Sequence, residues 1–374
     1  MAVFTIQNKR LTELKSNIMN MVGVTQETIK EAAALIRKGG LVAFPTETVY
    51  GLGADALNPL AVVRIFEVKN RPRFDPLIVH LADFSSTEKL CSSVDERARK
   101  LMEKFWPGPL TLVLPKTEVV PDIVTAGLPT VAIRMPAHPV ALRLIEEAGT
   151  PIAAPSANPF GYLSPTTAEH VREQLGERVD LILDGGKCPI GVESTVIELT
   201  GKEPLLLRPG GLSIEEIKKV IGKVKISTIS PRPRSPGQLT HHYSPRTPIR
   251  ILKGKEFELI THAGAAPSNH ENGDENGESI FYLKTKKRVG LLSFKSPKKN
   301  LPYEVVEILS PRGDLREAAA NLFSCLHKLD RAGLDIILAE PVPEVGLGRA
   351  IMDRLCKAAG RDCSHRLKTG ASTD

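Results

Sequence analysis

No run in this chain approaches the roughly 20 consecutive apolar residues that crossing a bilayer requires, so no membrane partner is expected. The first 25 residues mix Lys9, Arg10, Glu13 and Lys15 with apolar positions and lack the long apolar stretch of a signal peptide. A cytoplasmic location is the expectation. Cysteine is sparse: Cys91, Cys188, Cys325, Cys356 and Cys363 are scattered, odd in number, and form no C-x-x-C pair. Cys325 and Cys363 each stand two residues before a histidine (His327, His365), which is not the spacing of the common zinc motifs. The thiols read as reduced space-fillers and no protein-held metal is expected. Aromatic residues make up only 5% of the chain, and none interleaves with the basic stretch Lys69 to Arg73, which argues against a base-stacking surface there. Also missing are a G-x-x-x-x-G-K-[ST] phosphate loop, a G-x-G-x-x-G fingerprint after a strand, and the kinase signature set. If a nucleotide is bound, dispersed Lys, Arg, Ser and Thr must hold it. Such a site favours displacement by positioning and charge neutralisation.

The 374 residues exceed the usual size of one core and predict two domains. A 41% apolar and 25% charged composition is that of an ordinary globular protein, and a net charge of +7 permits a polyanionic partner without demanding one. Ile29, Ala32, Ala33 and Ile36 fall at helical spacing between the cap candidates Thr25 and Thr28 and the stop Gly39-Gly40, predicting a helix over 25–38. Strands are predicted at 41–44, 77–81, 110–114, 131–134, 152–154, 181–183, 196–199 and 205–207, with helices at 60–69, 94–105, 140–147, 168–175 and 214–221. That mixture points to an α/β domain on a twisted mixed sheet over residues 1–225. A proline-rich linker follows at 226–248. A smaller, Rossmann-like parallel α/β domain is expected over 249–374, with strands at 249–252, 289–294, 305–309 and 336–339 and helices at 315–332 and 347–359. Within it, Gly264–Ser279 reads as a mobile loop, and the tail Lys368–Asp374 as frayed.

Four islands of unusual local sequence stand where strands end and loops begin, the usual place for ligands in α/β proteins. The first, Pro45-Thr46-Glu47-Thr48-Val49-Tyr50-Gly51-Leu52-Gly53, offers alternate hydroxyls and glycines that allow close backbone approach. In the second, Lys69, Arg71 and Arg73 are bent by Pro72 into a compact cradle that a triphosphate could occupy, followed by Pro76-Leu77-Ile78-Val79-His80. Ile78 and His80 share a strand face. The third, Ala153-Ala154-Pro155-Ser156-Ala157-Asn158 with Gly161 and Ser164, packs small side chains beside hydroxyl and amide groups. Ser156 has no nucleophile-elbow setting and no acid or histidine in reach, so a hydrolase is set aside. The fourth, Gly191-Val192-Glu193-Ser194-Thr195, leads to Leu207-Arg208-Pro209-Gly210-Gly211. Arg134 is one more cation, suited to pairing a carboxylate. Taken singly, each island also reads as an ordinary Pro/Gly turn or a solvated basic turn.

Together, and in this order over roughly Gln26 to Gly222, the islands resemble the YrdC-like family. Lys69, Arg71, Ser156 and Asn158 match that family's Lys-x-Arg plus Ser-x-Asn tetrad, and the PTETVYGLG, PLIVH, WPGPLT, APSAN, GVEST and LRPG segments are similar to its motifs. His242-Tyr243-Ser244-Pro245 and Gly346–Leu355 resemble the linker motif and last helix of the long, two-domain threonylcarbamoyl-AMP synthases. The resemblance implies that threonine, bicarbonate and ATP, with Mg²⁺, give threonylcarbamoyl-AMP and pyrophosphate. A downstream transferase system then moves the threonylcarbamoyl group to tRNA, leaving at most a weak tRNA contact here. It assigns catalysis to Lys69, Arg71, Ser156 and Asn158. It assigns the nucleotide to Lys69, Arg73, Thr130, Ser156, Ser164, Arg208 and Tyr243, and threonine to Thr46, Ile78 or His80, Arg134, Ala154 and Ser194. Arg73 stands where many relatives carry a small or polar residue. Two alternatives remain open: an RNA-binding module of the YrdC-like type, and the carbamoyl-transfer branch of the superfamily, whose paired zinc-type cysteines this chain lacks.

Overall fold

The computed structural model describes residues 20–227, 233–239, 242–252, 287–297 and 303–360. The segment Gly264–Ser279, the tail Lys368–Asp374 and Cys363 lie outside the described residues. Two units divide the chain: the described parts of Met1–Phe160, Ser164–Pro189 and Glu193–Gln238 form the first, and those of Gly161–Leu163, Ile190–Val192 and Leu239–Asp374 form the second.

The first unit begins with β1 (Met21–Gly23) and α1 (Gln26–Arg37). The Thr25 hydroxyl accepts from Thr28 N–H while Thr28 Oγ1 accepts from Thr25 N–H, a reciprocal capping box that satisfies two donors the helix cannot. Next, β2 (Val42–Phe44) turns back into an antiparallel β3 (Gly51–Asp55), with Phe44 opposite Gly51. The first island was expected to be a loop through Gly53, and its second half is instead a strand. Glycine is required there, since a Cβ on Gly53 would stand 2.6 Å from Phe44 Cε1 and 2.7 Å from Ile152 Cγ2. The same glycines erase the period-two apolar signal by which a strand is recognised.

Seven further strands share this sheet: β4 (Ile78–His80), β5 (Leu110–Pro115), β6 (Thr130–Arg134), β7 (Ile152–Ala153), β8 (Leu181–Asp184), β9 (Thr195–Glu198) and β10 (Leu205–Arg208). With β11 (Lys225–Ile226) the order across 11 strands is β1-β8-β2-β3-β7-β4-β6-β5-β9-β10-β11. Parallel pairs such as β4–β6 and β5–β9 alternate with antiparallel ones such as β5–β6 and β9–β10, making the mixed sheet the sequence predicts. The helices are α2 (Pro59–Lys69), α3 (Ser85–Leu90), α4 (Glu96–Phe105), α5 (Asp122–Thr125), α6 (Pro139–Ala148), α7 (Ala168–Leu175) and α8 (Ile214–Ile221). The other elements unforeseen in the sequence, β1, β11, α3 and α5, span six residues or fewer, too short for periodicity to register.

Strand alternation sorts the side chains to two faces. Leu52, Val79, Ile133, Leu112, Ile197 and Leu206 turn to one face, where they pack with residues of α2, α3, α4, α5, α7 and α8. On the other face, Phe44, Ile152 and Ala154 meet α1 and α6. Further along that second face, Ile78, Val113, Ala132, Val196 and Leu207 form a cluster of strand residues alone. This stretch of sheet, bare of helices in its own cluster, positions the site.

In the second unit β12 (Ile249–Ile251), β13 (Val289–Ser293), β14 (Val305–Ile308) and β15 (Ile336–Ala339) form a parallel sheet in the order β12-β15-β13-β14. With α9 (Leu315–Arg331) and α10 (Gly348–Ala358) it has the parallel α/β character expected. Tyr243 adopts a φ of 63° and is buried, its ring 5.8 Å from that of Phe323 and 5.0 Å from the Arg354 guanidinium carbon. Cys91, Cys188 and Cys325 form no disulfide, as expected, whereas Cys356 is disulfide-bonded, which corrects the expectation of reduced thiols throughout. Scattered cysteines carry no spacing from which a bridge could have been read.

Candidate active site

Two polar clusters border the bare sheet face, one before β4 and one beyond the ends of β4 and β6. At the first, α2 ends on Lys69 because Asn70 takes the left-handed conformation (φ 52°) and turns the chain. Lys69 is thereby sent inward, only 1% exposed, where its Nζ donates to the main-chain oxygens of Ser156 (2.6 Å) and Asn158. An ammonium has three N–H groups, so one remains for a ligand. Burial pushes the Lys69 pKa well down, helped by the Arg71 charge and opposed by Asp75.

Arg71 donates to the main-chain oxygens of Asp75 (3.1 Å) and Pro76 (2.8 Å), and its guanidinium carbon lies 5.7 Å from the centroid of the Phe160 ring. Its Nη2 is also 2.8 Å from Asp75 Oδ2, with both side chains buried; the contact is ionic rather than a well-angled hydrogen bond. Asp75 is 0% exposed. Burial raises its pKa, while Arg71, Lys69 and Arg208 pull it the other way. The sequence reading passed over Asp75. The available signal was its position four residues after Arg71, between Pro72 and Pro76. Asn158 is buried beside Lys69, and Gly51 forms an isolated bridge with Ser156, so all four tetrad positions converge.

At the far ends of β4 and β6, paired in register, lie His80 and Arg134. Arg134 donates from Nε to Gly108 O (3.2 Å), from Nη1 to Thr48 Oγ1 (3.0 Å) and from Nη2 to Glu47 Oε1 (2.5 Å). Thr46, expected at the threonine, is bonded within its own turn. Its hydroxyl donates to Val49 O (2.6 Å), receives the N–H groups of Thr48 (3.1 Å) and Val49 (3.2 Å), and lies 2.8 Å from Thr48 Oγ1. One donor and two lone pairs are thus committed, and Thr46 builds the turn that presents Glu47. Glu47, a further residue missed in the sequence, is the buried ionic partner of Arg134.

The last island closes the cluster. Arg208 donates to Ser194 O (3.0 Å), Ser194 Oγ (3.1 Å) and Pro236 O (3.1 Å), and Ser194 Oγ is 2.7 Å from Thr111 Oγ1. Gly210 is needed for this approach, since a Cβ there would stand 2.3 Å from Glu193 O and Ser194 C. Ser164 donates to Glu193 Oε1 at 2.5 Å. Lys69, Arg71, Arg134 and Arg208 therefore share one device: each is anchored on main-chain oxygen.

The remaining expected residues divide. Ile78 and Ala154 line the second face, and Thr130 stands on it two residues from Ala132 but about 13 Å along the strand from Arg134. Arg73 is exposed. Lys69 and Arg71, buried and turned inward, offer no basic rim to an RNA backbone. Among the described residues no group of three or more His, Cys, Asp or Glu could hold a metal. No described helix is long and apolar enough to cross a membrane.

His80 predicts an acid response. Burial first, then the Arg134 charge, pushes its pKa from 6.5 down to about 3, against opposing hydrogen bonds at the Ile152 and Ile78 backbones. The unfolded chain therefore takes up this proton before the folded one, and stability falls as pH drops from about 6.5 toward about 3. The ceiling is roughly 5 kcal/mol at about 1.4 kcal/mol per unit. His80→Gln should flatten that part of the stability profile in urea titrations, and an unchanged slope would reject the assignment.

A family model described as "Telomere recombination", covering the Sua5, YciO and YrdC proteins, matches residues 34–210. Another, described as "Threonylcarbamoyl-AMP synthase, C-terminal domain", matches residues 212–360. The chain is 48% identical to a threonylcarbamoyl-AMP synthase of Pyrococcus abyssi, over 89% of this chain and 94% of that one. It is 45% identical to the one of Bacillus subtilis, over 92% and 96%. Its fold resembles that of P. abyssi Sua5 complexed with L-threonine, with a TM-score of 0.81 and 46% identity over 91% of this chain and 97% of that one.

Proposed function

The chain belongs to the threonylcarbamoyl-AMP synthase family in its long, two-domain form, and from that premise we propose how its residues carry the reaction. It is an adenylyl-transferring enzyme that makes threonylcarbamoyl-AMP, the activated intermediate of a tRNA modification. L-threonine, bicarbonate and ATP are its substrates. The carbamate of threonine, a weak carboxylate nucleophile, attacks the α-phosphate and pyrophosphate leaves. The supporting observation is that buried cations border a single sheet face, with Arg134 and Ser194 on one side and Lys69 and Arg71 on the other.

Arg134 receives the threonine carboxylate and Ser194 its hydroxyl, with Ile78, His80 and Ala154 shaping the pocket and Thr46 acting through its turn. Lys69, Arg71 and Arg208 offset charge developing on the phosphates, a task that needs fixed donors rather than covalent chemistry. Ser156 and Asn158 hold Lys69 through their carbonyls. The acids near the site are engaged, Glu47 with Arg134, Asp75 with Arg71 and Glu193 with Ser164. No group of three or more His, Cys, Asp or Glu gathers among the described residues, and Mg²⁺ enters with the substrate as Mg·ATP. The nucleotide contacts of Thr130, Ser164 and Tyr243 rest on the resemblance, and the domain limits at 225 and 249 on the proline-rich texture of residues 226–248. A cytoplasmic setting and a downstream transferase that consumes the product belong to the same reading.

The test is pyrophosphate release with threonine, with serine and with no amino acid, each with and without bicarbonate. Release that requires both threonine and bicarbonate supports the assignment. Release indifferent to either one sinks it.

A further inference from the structure

Glu47 has one oxygen more than its ion pair uses. Oε1 accepts from Arg134, while Oε2 is buried and accepts no hydrogen bond from any described residue. Few buried polar atoms go unsatisfied in native proteins, and a stranded charged oxygen is among the costlier ones. The residue is only 6% exposed, and the turn behind it is locked by Thr46. The other titratable groups acting on it are poor substitutes as a base. The Nδ1 lone pair of His138 is committed to Val140 N–H at 3.2 Å, and burial drives the Cys188 thiol pKa up.

An amino-acid zwitterion carries its carboxylate and its ammonium on one carbon. Of the five N–H groups of Arg134, three are taken by Gly108, Thr48 and Glu47, and two remain for a carboxylate. Glu47 Oε2, on the other side of the same ion pair, is the complementary acceptor for the ammonium.

We propose that Glu47 is the proton acceptor that frees the threonine amine for carboxylation, the step that must precede adenylyl transfer. The proposal rests on Arg134 being the partner of the threonine carboxylate. One ammonium proton passes to Oε2. The amine nitrogen then bonds to the bicarbonate carbon as the C–OH bond breaks, and the hydroxide leaves as water with a second amine proton. The sum is ammonium plus bicarbonate giving carbamate, water and one proton, which Glu47 holds until solvent removes it. The carbamate is then the nucleophile toward ATP.

Glu47→Gln keeps an oxygen to accept from Arg134 and removes the basic one. In the full-length protein, pyrophosphate release from threonine, bicarbonate and ATP is to be measured beside the reverse reaction, ATP formation from threonylcarbamoyl-AMP and pyrophosphate. The reverse reaction ends at free carbamate, which decomposes in water without a base, so it does not call on Glu47. Forward kcat should fall by about 100-fold or more and the reverse rate by at least about tenfold less, the shared loss being that of the Arg134 ion pair. Glu47→Asp should regain part of the forward rate. Equal loss in both directions, full forward activity in the Gln variant, or no gain from Asp over Gln would overturn the proposal. If the wild-type protein shows no threonine- and bicarbonate-dependent release, the assigned reaction fails, whatever Glu47 does.

Discussion

Lys69→Met should lower threonine- and bicarbonate-dependent pyrophosphate release by about three orders of magnitude, with a melting temperature close to that of the parent. Removing one fixed donor from a preorganised site costs about 100- to 1,000-fold in turnover, and Lys69 brings a full charge. The fold should survive because burial already penalises that charge, as its depressed pKa shows. Methionine fills the same channel without it. The main-chain oxygens of Ser156 and Asn158 lose a partner, a cost of about 1–3 kcal/mol each if left dry, which relief of the desolvated ammonium offsets. Turnover unchanged within threefold would remove Lys69 from the mechanism. Arg71→Ala should abolish activity too, but it strands Asp75 and cannot be read without a stability control.

Asp75→Ala should be the most damaging single change to stability. It removes the carboxylate that stands 2.8 Å from the buried Arg71 guanidinium, and withdraws the acid that opposes the depression of Lys69. Breaking one side of a buried pair costs about 3–5 kcal/mol, or roughly 10 °C of melting temperature in a unit of this size. The double variant Arg71→Met with Asp75→Ala should recover much of that loss and remain inactive, as calorimetry and pyrophosphate release together would reveal. If Asp75→Ala melted with the parent, the ion pair would have no part in holding the cluster.

The cations and hydroxyls of the site were legible in the chain because lysine and arginine runs beside glycine and proline are conspicuous as letters. Their acidic partners were not. Asp75, Glu47 and Glu193 look like ordinary surface acids in a sequence with 43 of them, and only burial separates them from the rest. Thr46 shows what the letters leave out: its hydroxyl is legible as a polar group, but the turn it closes, through bonds to Thr48 and Val49, is visible only in the fold. Strands rich in Val, Leu and Ile, such as β5 and β6, appeared within a residue of their predicted limits, whereas β3, written largely in glycine, did not.

Main-chain oxygens belong to every residue type, and that shapes how freely this site can diverge. Ser156, Pro76, Gly108 and Pro236 hold their cations through atoms that no side-chain substitution deletes. Over evolutionary drift the residues carrying these anchors can change identity while Lys69, Arg71, Arg134 and Arg208 keep their poses, so long as the backbone path persists. Insertions or deletions in the anchoring loops, rather than point replacements, are the changes that should extinguish activity across distant relatives.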